Sequence, residues 1–219
     1  MHDTVQKLVA IENKIRSNLK DLKIDRLPKI IAVSKTFKID KILPLIDHGH
    51  IDFGENKVQE ALDKWMIIKE KKLNVQLHMI GKLQTNKVKF AVKLFDYIHS
   101  VDSEKLAKKI SDEQQKINKK IKIFIQVNIG NEDQKSGINK DKLNNLVSYC
   151  KKINLDVVGL MCIPPSNIDP SAYFKEMNLI NNDFNFSELS MGMSSDYLKA
   201  SESAATYLRI GSSIFGKRF

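Results

Sequence analysis

Lys35 directly follows Ile30-Ile31-Ala32-Val33-Ser34, and so closes a strand-like apolar run. An amine held at such a place is partly desolvated. Its pKa falls, and the neutral form can condense with a carbonyl to a Schiff base. Lysines are usually solvated surface residues, so it is this position that sets Lys35 apart. Two segments of small residues suggest a second chemistry. They are Ser190-Met191-Gly192-Met193-Ser194-Ser195 and Gly211-Ser212-Ser213. Small residues let backbone N–H groups approach an anion, and serine hydroxyls add donors, so the pair reads as a phosphate site. The same residues would also suit tight packing at strand ends. Arg209 lies inside Tyr207-Leu208-Arg209-Ile210-Gly211, where a charge needs a partner. That partner is either a carboxylate such as Glu55 or a ligand. Asn56, His78 and Asn128 sit at or near the ends of other apolar runs.

Eight runs of this kind recur: Lys29–Lys35, His50–Asn56, Val75–Gly81, Tyr97–Ser103, Lys122–Ile129, Val157–Pro164, Glu188–Ser194 and Tyr207–Ile214. Several are rich in β-branched residues and bounded by Gly, Pro, Asn or Asp. Helical spacing lies between them, as in Val58, Leu62, Trp65 and in Leu143, Leu146, Val147. Ser103 and Asp141 mark helix starts. Strands alternating with helices imply parallel pairing, and eight of them imply a single α/β (β/α)8 TIM barrel occupying residues 1–219. Only Phe215–Phe219 follows the last strand, which leaves no room for an eighth outer helix. The N-terminal segment Thr4–Leu22 carries Val5, Leu8, Val9, Ile15 and Leu19, and is expected to cover the bare face instead. The rival is an open doubly wound sheet, but neither G-x-G-x-x-G nor a Walker lysine loop is present. Functional groups of a parallel barrel gather at the C-terminal ends of its strands, where Lys35, Arg209 and the small-residue segments fall.

Composition narrows the partners. The chain has 219 residues with a formal net charge of +10. Of its 36 basic residues only four are arginine (Arg16, Arg26, Arg209, Arg218). Base readers favour the arginine fork, so a scattered lysine excess reads as compositional bias on a solvated surface, not as a nucleic-acid footprint. No run approaches a membrane span, and the charged N-terminal segment is no signal peptide. Cys150 and Cys162 lack C-x-x-C spacing and read as packed thiols in a reducing cytoplasm. His48-Gly49-His50 lacks the further ligands of a metal site and reads as a polar turn. Trp65 reads as core.

In order along the chain, several segments resemble one family. They are Ile31-Ala32-Val33-Ser34-Lys35-Thr36, Phe53-Gly54-Glu55-Asn56-Lys57-Val58-Gln59-Glu60 and His78-Met79-Ile80-Gly81-Lys82-Leu83-Gln84-Thr85-Asn86-Lys87. Val127-Asn128, Lys135-Ser136-Gly137 and Gly159-Leu160-Met161 follow, then Leu189-Ser190-Met191-Gly192-Met193-Ser194-Ser195-Asp196 and Arg209-Ile210-Gly211-Ser212-Ser213-Ile214-Phe215-Gly216. Together they resemble the pyridoxal phosphate homeostasis proteins, the YggS/PROSC family, from about Lys29 to Gly216. The sequence departs at Lys82, where His or Pro is common, and at Ala204, where Gly is common.

The resemblance implies a barrel like the N-terminal domain of alanine racemase, binding pyridoxal 5'-phosphate (PLP). Lys35 would hold PLP as a Schiff base. Ser190, Gly192, Met193, Ser194, Gly211 and Ser212 would surround its phosphate. Arg209 would face the pyridine nitrogen, with Asn56 and His78 near the ring. An arginine cannot accept the proton that makes PLP a strong electron sink, so a carrier is expected in place of an efficient enzyme. An incoming amine displacing Lys35 would release the cofactor. Lys82, Lys87 and Lys135 follow strands three and five and would be secondary acceptors if they line the same mouth. The alternatives are a slow PLP-dependent amino-acid racemase and a basic nucleic-acid binder. The expected partners are PLP and PLP-dependent apoenzymes, with the chain a cytoplasmic monomer that binds neither nucleic acid nor membrane.

Overall fold

A computed structural model describes residues 1–71, 74–132 and 134–216. Eight parallel strands close on themselves: β1 (Lys29–Val33), β2 (Asp52–Glu55), β3 (Gln76–Met79), β4 (Tyr97–Val101), β5 (Lys122–Val127), β6 (Asp156–Cys162), β7 (Glu188–Met193) and β8 (Tyr207–Ile210). Pairing of β1 with β8 closes the ring, with Ile31 opposite Arg209, and excludes the open sheet. Each strand falls within or beside its expected run.

Alternation along the strands divides the core in two. Ile31, Tyr97, Phe124, Met161 and Tyr207 pack inside the barrel. Their neighbours, such as Ile30, Ala32, Ile98 and Ile123, face outward and join the larger layer beneath the helices. The outer layer comprises α2 (Leu43–Asp47), α3 (Val58–Glu70), α4 (Val88–Leu94), α5 (Glu104–Lys116), α6 (Lys140–Lys152), α7 (Ser171–Asp183) and α8 (Tyr197–Glu202). Ser103 caps α5 by accepting from Leu106 N, while Asp141 lies in the first turn of α6, one residue inside its start.

The chain opens with α1 (Asp3–Asp21), which buries Val5, Leu8, Ile11, Ile15 and Leu19 on one stripe. Val9, expected on that stripe, is only half-buried, and Ile11 takes its place. After β8 comes one helical turn, α9 (Ser212–Phe215). Helix α1 packs against α2, α8 and α9, and so covers the face that an eighth outer helix would cover. Trp65 is fully buried, as expected.

Candidate functional site at the barrel mouth

At the C-terminal ends of the strands lies a cavity of about 330 Å³. Lys35 and Val33 line it from β1, Asn56 from the end of β2, and Arg209 from β8. Met193, Ser194, Gly211 and Ser212 complete the side where an anion was expected. Seven of the ten expected residues therefore meet around one space. Ile80, Ile163 and Ser195 also line it, unforeseen as contacts. The two isoleucines stand two residues beyond inward-facing positions of β3 and β6, and that period-two pattern could have found them.

The position of Lys35 is built from outside the barrel. Ser34 is fully buried, and its Oγ donates to Glu55 Oε1 at 2.7 Å. Lys64 Nζ reaches both Ser34 O (2.8 Å) and Glu55 Oε1 (2.9 Å), and Trp65 Nε1 donates to the same oxygen at 2.9 Å. Glu55 thus points into the seam between β2 and α3. It pairs with Lys64 and not with Arg209, because it lies one residue off the inward register of Gly54 and Asn56. Thr36, next along, takes a left-handed backbone with φ 69°, held by a bond from its N–H to Glu60. Such strain in a β-branched residue is sustained only by surrounding structure, and such residues cluster at functional sites.

In the same lining, Ser194 Oγ accepts from Gly211 N at 3.3 Å and Ser213 N at 3.4 Å. Two N–H groups converging on one oxygen is the geometry an anion needs. Gly192 does not line the cavity. It has φ 88°, and a Cβ there would come within 2.5 Å of the Ala200 Cβ. The β7–β8 register shifts between Ser190 and Met193, so Gly192 belongs to an irregularity that re-aims Met193 and Ser194 toward the cavity.

Ser190 and His78 are also absent from the lining, because their inward register puts them deeper. Both are fully buried. His78 Nε2 lies 2.9 Å from Asp52 Oδ1, and its Nδ1 lies 3.0 Å from His99 Nε2. Ser190 Oγ lies 2.9 Å from His99 Nδ1 and accepts from Arg209 Nη1 at 2.7 Å. Arg209 Nη2 donates to Cys162 O at 2.8 Å. Burial lowers the pKa of Arg209, and among the described residues no carboxylate pairs with it directly. Burial also lowers the pKa of His78 and holds that of His99 well below the usual imidazole value. Sequence reasoning missed Asp52 and His99 altogether.

The remaining candidates disperse. Asn128 is occupied by Glu132, accepting from its N and donating to its O. Lys82 is exposed, Lys87 is half-buried, and neither lines the cavity. Lys135 lines an adjoining cavity that shares Ile163, Met193 and Ser195 with the first, but it is engaged by Glu132 and Pro164 O. Gly49 (φ 91°) turns the His48–His50 segment, and His50 Nε2 bonds Asp52 O. Cys150 and Cys162 are buried free thiols with pKa values pushed up to about 12 by burial.

The family model for the alanine racemase N-terminal domain matches residues 11–218. A pyridoxal phosphate homeostasis protein of Pasteurella multocida is 32% identical, with 97% of each chain covered. PipY of Synechococcus elongatus PCC7942, solved with PLP bound, is 31% identical and superimposes with a TM-score of 0.81, covering 92% of this chain and 100% of that one. Clostridium difficile alanine racemase shares the fold at 14% identity and a TM-score of 0.71, with 57% of its chain covered.

Proposed function

The chain belongs to the pyridoxal phosphate homeostasis protein family, and on that premise we propose that it binds PLP at the barrel mouth, buffering and delivering the cofactor without efficient amino-acid catalysis. The observation that carries this reading is one cavity holding Lys35, Arg209 and the Ser194–Gly211 cradle together. The donor set fits the group. A lysine amine suits an aldehyde, an arginine donor suits a ring nitrogen, and serine with backbone N–H groups suits a phosphate. Asn56 Oδ1 adds a buried acceptor at the wall that has no protein partner.

When bound, PLP supplies an aldehyde that condenses with an amine and loses water. The protein's own residues do the rest. Ser34, Glu55 and Lys64 fix the strand end from which Lys35 extends. Ser194, Gly211 and Ser212, which line the cavity, would supply the anion's donors. Gly192 shapes the turn between them. Arg209 can donate to a ring nitrogen but cannot hand it a proton at neutral pH, so it leaves the ring a weak electron sink. That favours retention and release over racemisation.

The proposal includes a monomer acting in the cytoplasm, with PLP-dependent apoenzymes as recipients and neither nucleic acid nor membrane as partner. Two free, buried cysteines with no disulfide between them suit a reducing compartment. No helix among the described residues is long and apolar enough to cross a membrane. The test is borohydride reduction of PLP-loaded protein, followed by peptide mapping. The label is expected on Lys35, and Lys35→Ala is expected to lose it. Full labelling of Lys35→Ala would overturn the assignment, and amino-acid turnover at or above about 1 per second would overturn the carrier reading.

A further inference from the structure

We infer that Asp52, His78, His99 and Ser190 form a one-directional hydrogen-bond chain that positions Arg209. The chain runs across the barrel interior on five different strands. Its links are 2.7 Å from Arg209 Nη1 to Ser190 Oγ, 2.9 Å from Ser190 Oγ to His99 Nδ1, 3.0 Å from His99 Nε2 to His78 Nδ1, and 2.9 Å from His78 Nε2 to Asp52 Oδ1.

The two ends fix the direction. Arginine only donates, and an ionised carboxylate only accepts. Ser190 accepts from Arg209. At the other end a neutral His78 gives its Nε2 proton to Asp52 and presents a bare Nδ1, so His99 donates from Nε2 and its own bare Nδ1 takes the Ser190 proton. Each link holds one proton; a second proton on His78 would face the His99 N–H, and a second on His99 would face the Ser190 O–H. Both rings are neutral in this arrangement, in keeping with their complete burial. Their planes are held by stacking, His78 on Tyr97 at 4.3 Å and 13°, His99 on Phe124 at 4.2 Å and 20°.

The chain links two ends of the barrel. Arg209 lines the mouth cavity, whereas Asp52 lines a separate cavity of about 230 Å³ with Arg16 and Lys29. Asp52 acts as a remote counter-charge. Aligned dipoles strengthen one another along the chain, and the Ser190 oxygen becomes a better acceptor for the guanidinium. Arg209 is thus held in place without a carboxylate beside the ring nitrogen, where one would change the cofactor's chemistry. Asp52, His78, His99 and Ser190 are positioning residues, since none lines the mouth cavity.

The consequence at the ring nitrogen rests on the cofactor reading, while the chain itself does not. Two-bond ¹H–¹⁵N correlation on the ¹⁵N-labelled, cofactor-free chain reads ring tautomers directly. His78 and His99 are both expected as neutral Nε2–H forms at pH 7. An Nδ1–H form or an imidazolium at either ring would overturn the inference. Asp52→Asn keeps an acceptor for His78 but removes the remote charge, so it is expected to keep both tautomers and to weaken PLP binding less than the cut at Ser190 does. Ser190→Ala cuts the last link and is expected to shift the absorbance maximum of the PLP-loaded protein and weaken PLP binding about ten-fold, the value of one typical hydrogen bond. A Ser190→Ala variant that folds and matches wild type in both would refute the positioning role. Should wild-type protein show the expected tautomers yet fail to bind PLP, the chain stands and the cofactor reading fails.

Discussion

Strand β2 carries two buried carboxylates three residues apart, and they solve the same problem in opposite ways. Glu55 points outward and meets its cation directly, with Lys64 Nζ at 2.9 Å. Asp52 points inward and reaches the buried Arg209 only through two imidazoles and a hydroxyl. An odd spacing on a strand places the two on opposite faces. The direct pair is compact and charged at both ends, so it secures backbone beside Lys35. The relayed pair is neutral in the middle, so it transmits orientation without placing an anion at the mouth.

Removing each carboxylate should separate the two designs most sharply. Glu55→Ala leaves Lys64, whose side chain is only 9% exposed, with just the longer 3.3 Å pair to Glu60, and also strips Trp65 Nε1 of its acceptor. Breaking such a pair costs about 3–5 kcal/mol. Asp52→Ala leaves a single neutral imidazole N–H unsatisfied, which costs about 1–3 kcal/mol. Urea unfolding of both variants measures the difference. Equal losses would show that the chain carries a formal charge at His78, which would break the distinction drawn here.

Acid should distinguish them next. Burial lowers the pKa of His50, His78 and His99 from the ordinary 6.5. The unfolded chain takes up protons near that value while the folded chain does not. Stability is therefore complete above about pH 6.5 and falls as pH drops below it, levelling once the folded-state values are passed. Each histidine contributes at most about 1.4 kcal/mol per pH unit in that window. His99→Gln should flatten the slope of Tm against pH between 6.5 and 5. A wild-type Tm that holds steady across this window would contradict neutral buried rings.

Much of this was legible in sequence, for physical reasons. Strand runs and helical stripes are local patterns, so the eight strands and the covering role of α1 could be read from them. Lys35 and Arg209 were legible because each ends or interrupts an apolar run. The interior chain was not, because barrel closure alone brings its members together, His99 and Ser190 being 91 residues apart. Within Tyr97-Ile98-His99-Ser100-Val101, one histidine is merely a polar interruption. Glu55 misled for a subtler reason. A strand end was expected to serve the mouth, but the pleat turned its side chain to the helices. Gly192 and Ser190 were grouped with the anion site by sequence adjacency, whereas a register irregularity separates them from Ser194.

The smallest effect provides the baseline for both arms. Ala204 adopts φ 65°. A Cβ in the left-handed region costs roughly 1–2 kcal/mol, partly offset because glycine gains more freedom in the unfolded chain. Ala204→Gly should therefore stabilise by up to about 1 kcal/mol, a rise of about 2–4 °C in Tm for a domain of this size. Ala204 shares no hydrogen bond with either carboxylate system, its N–H bonding Ser201 O in the turn after α8. Its gain should add to the loss in Glu55→Ala and in Asp52→Ala within about 0.5 kcal/mol. Additivity in one background and not the other would mean that the corresponding system extends beyond the residues named here, through β8 to the turn that precedes it.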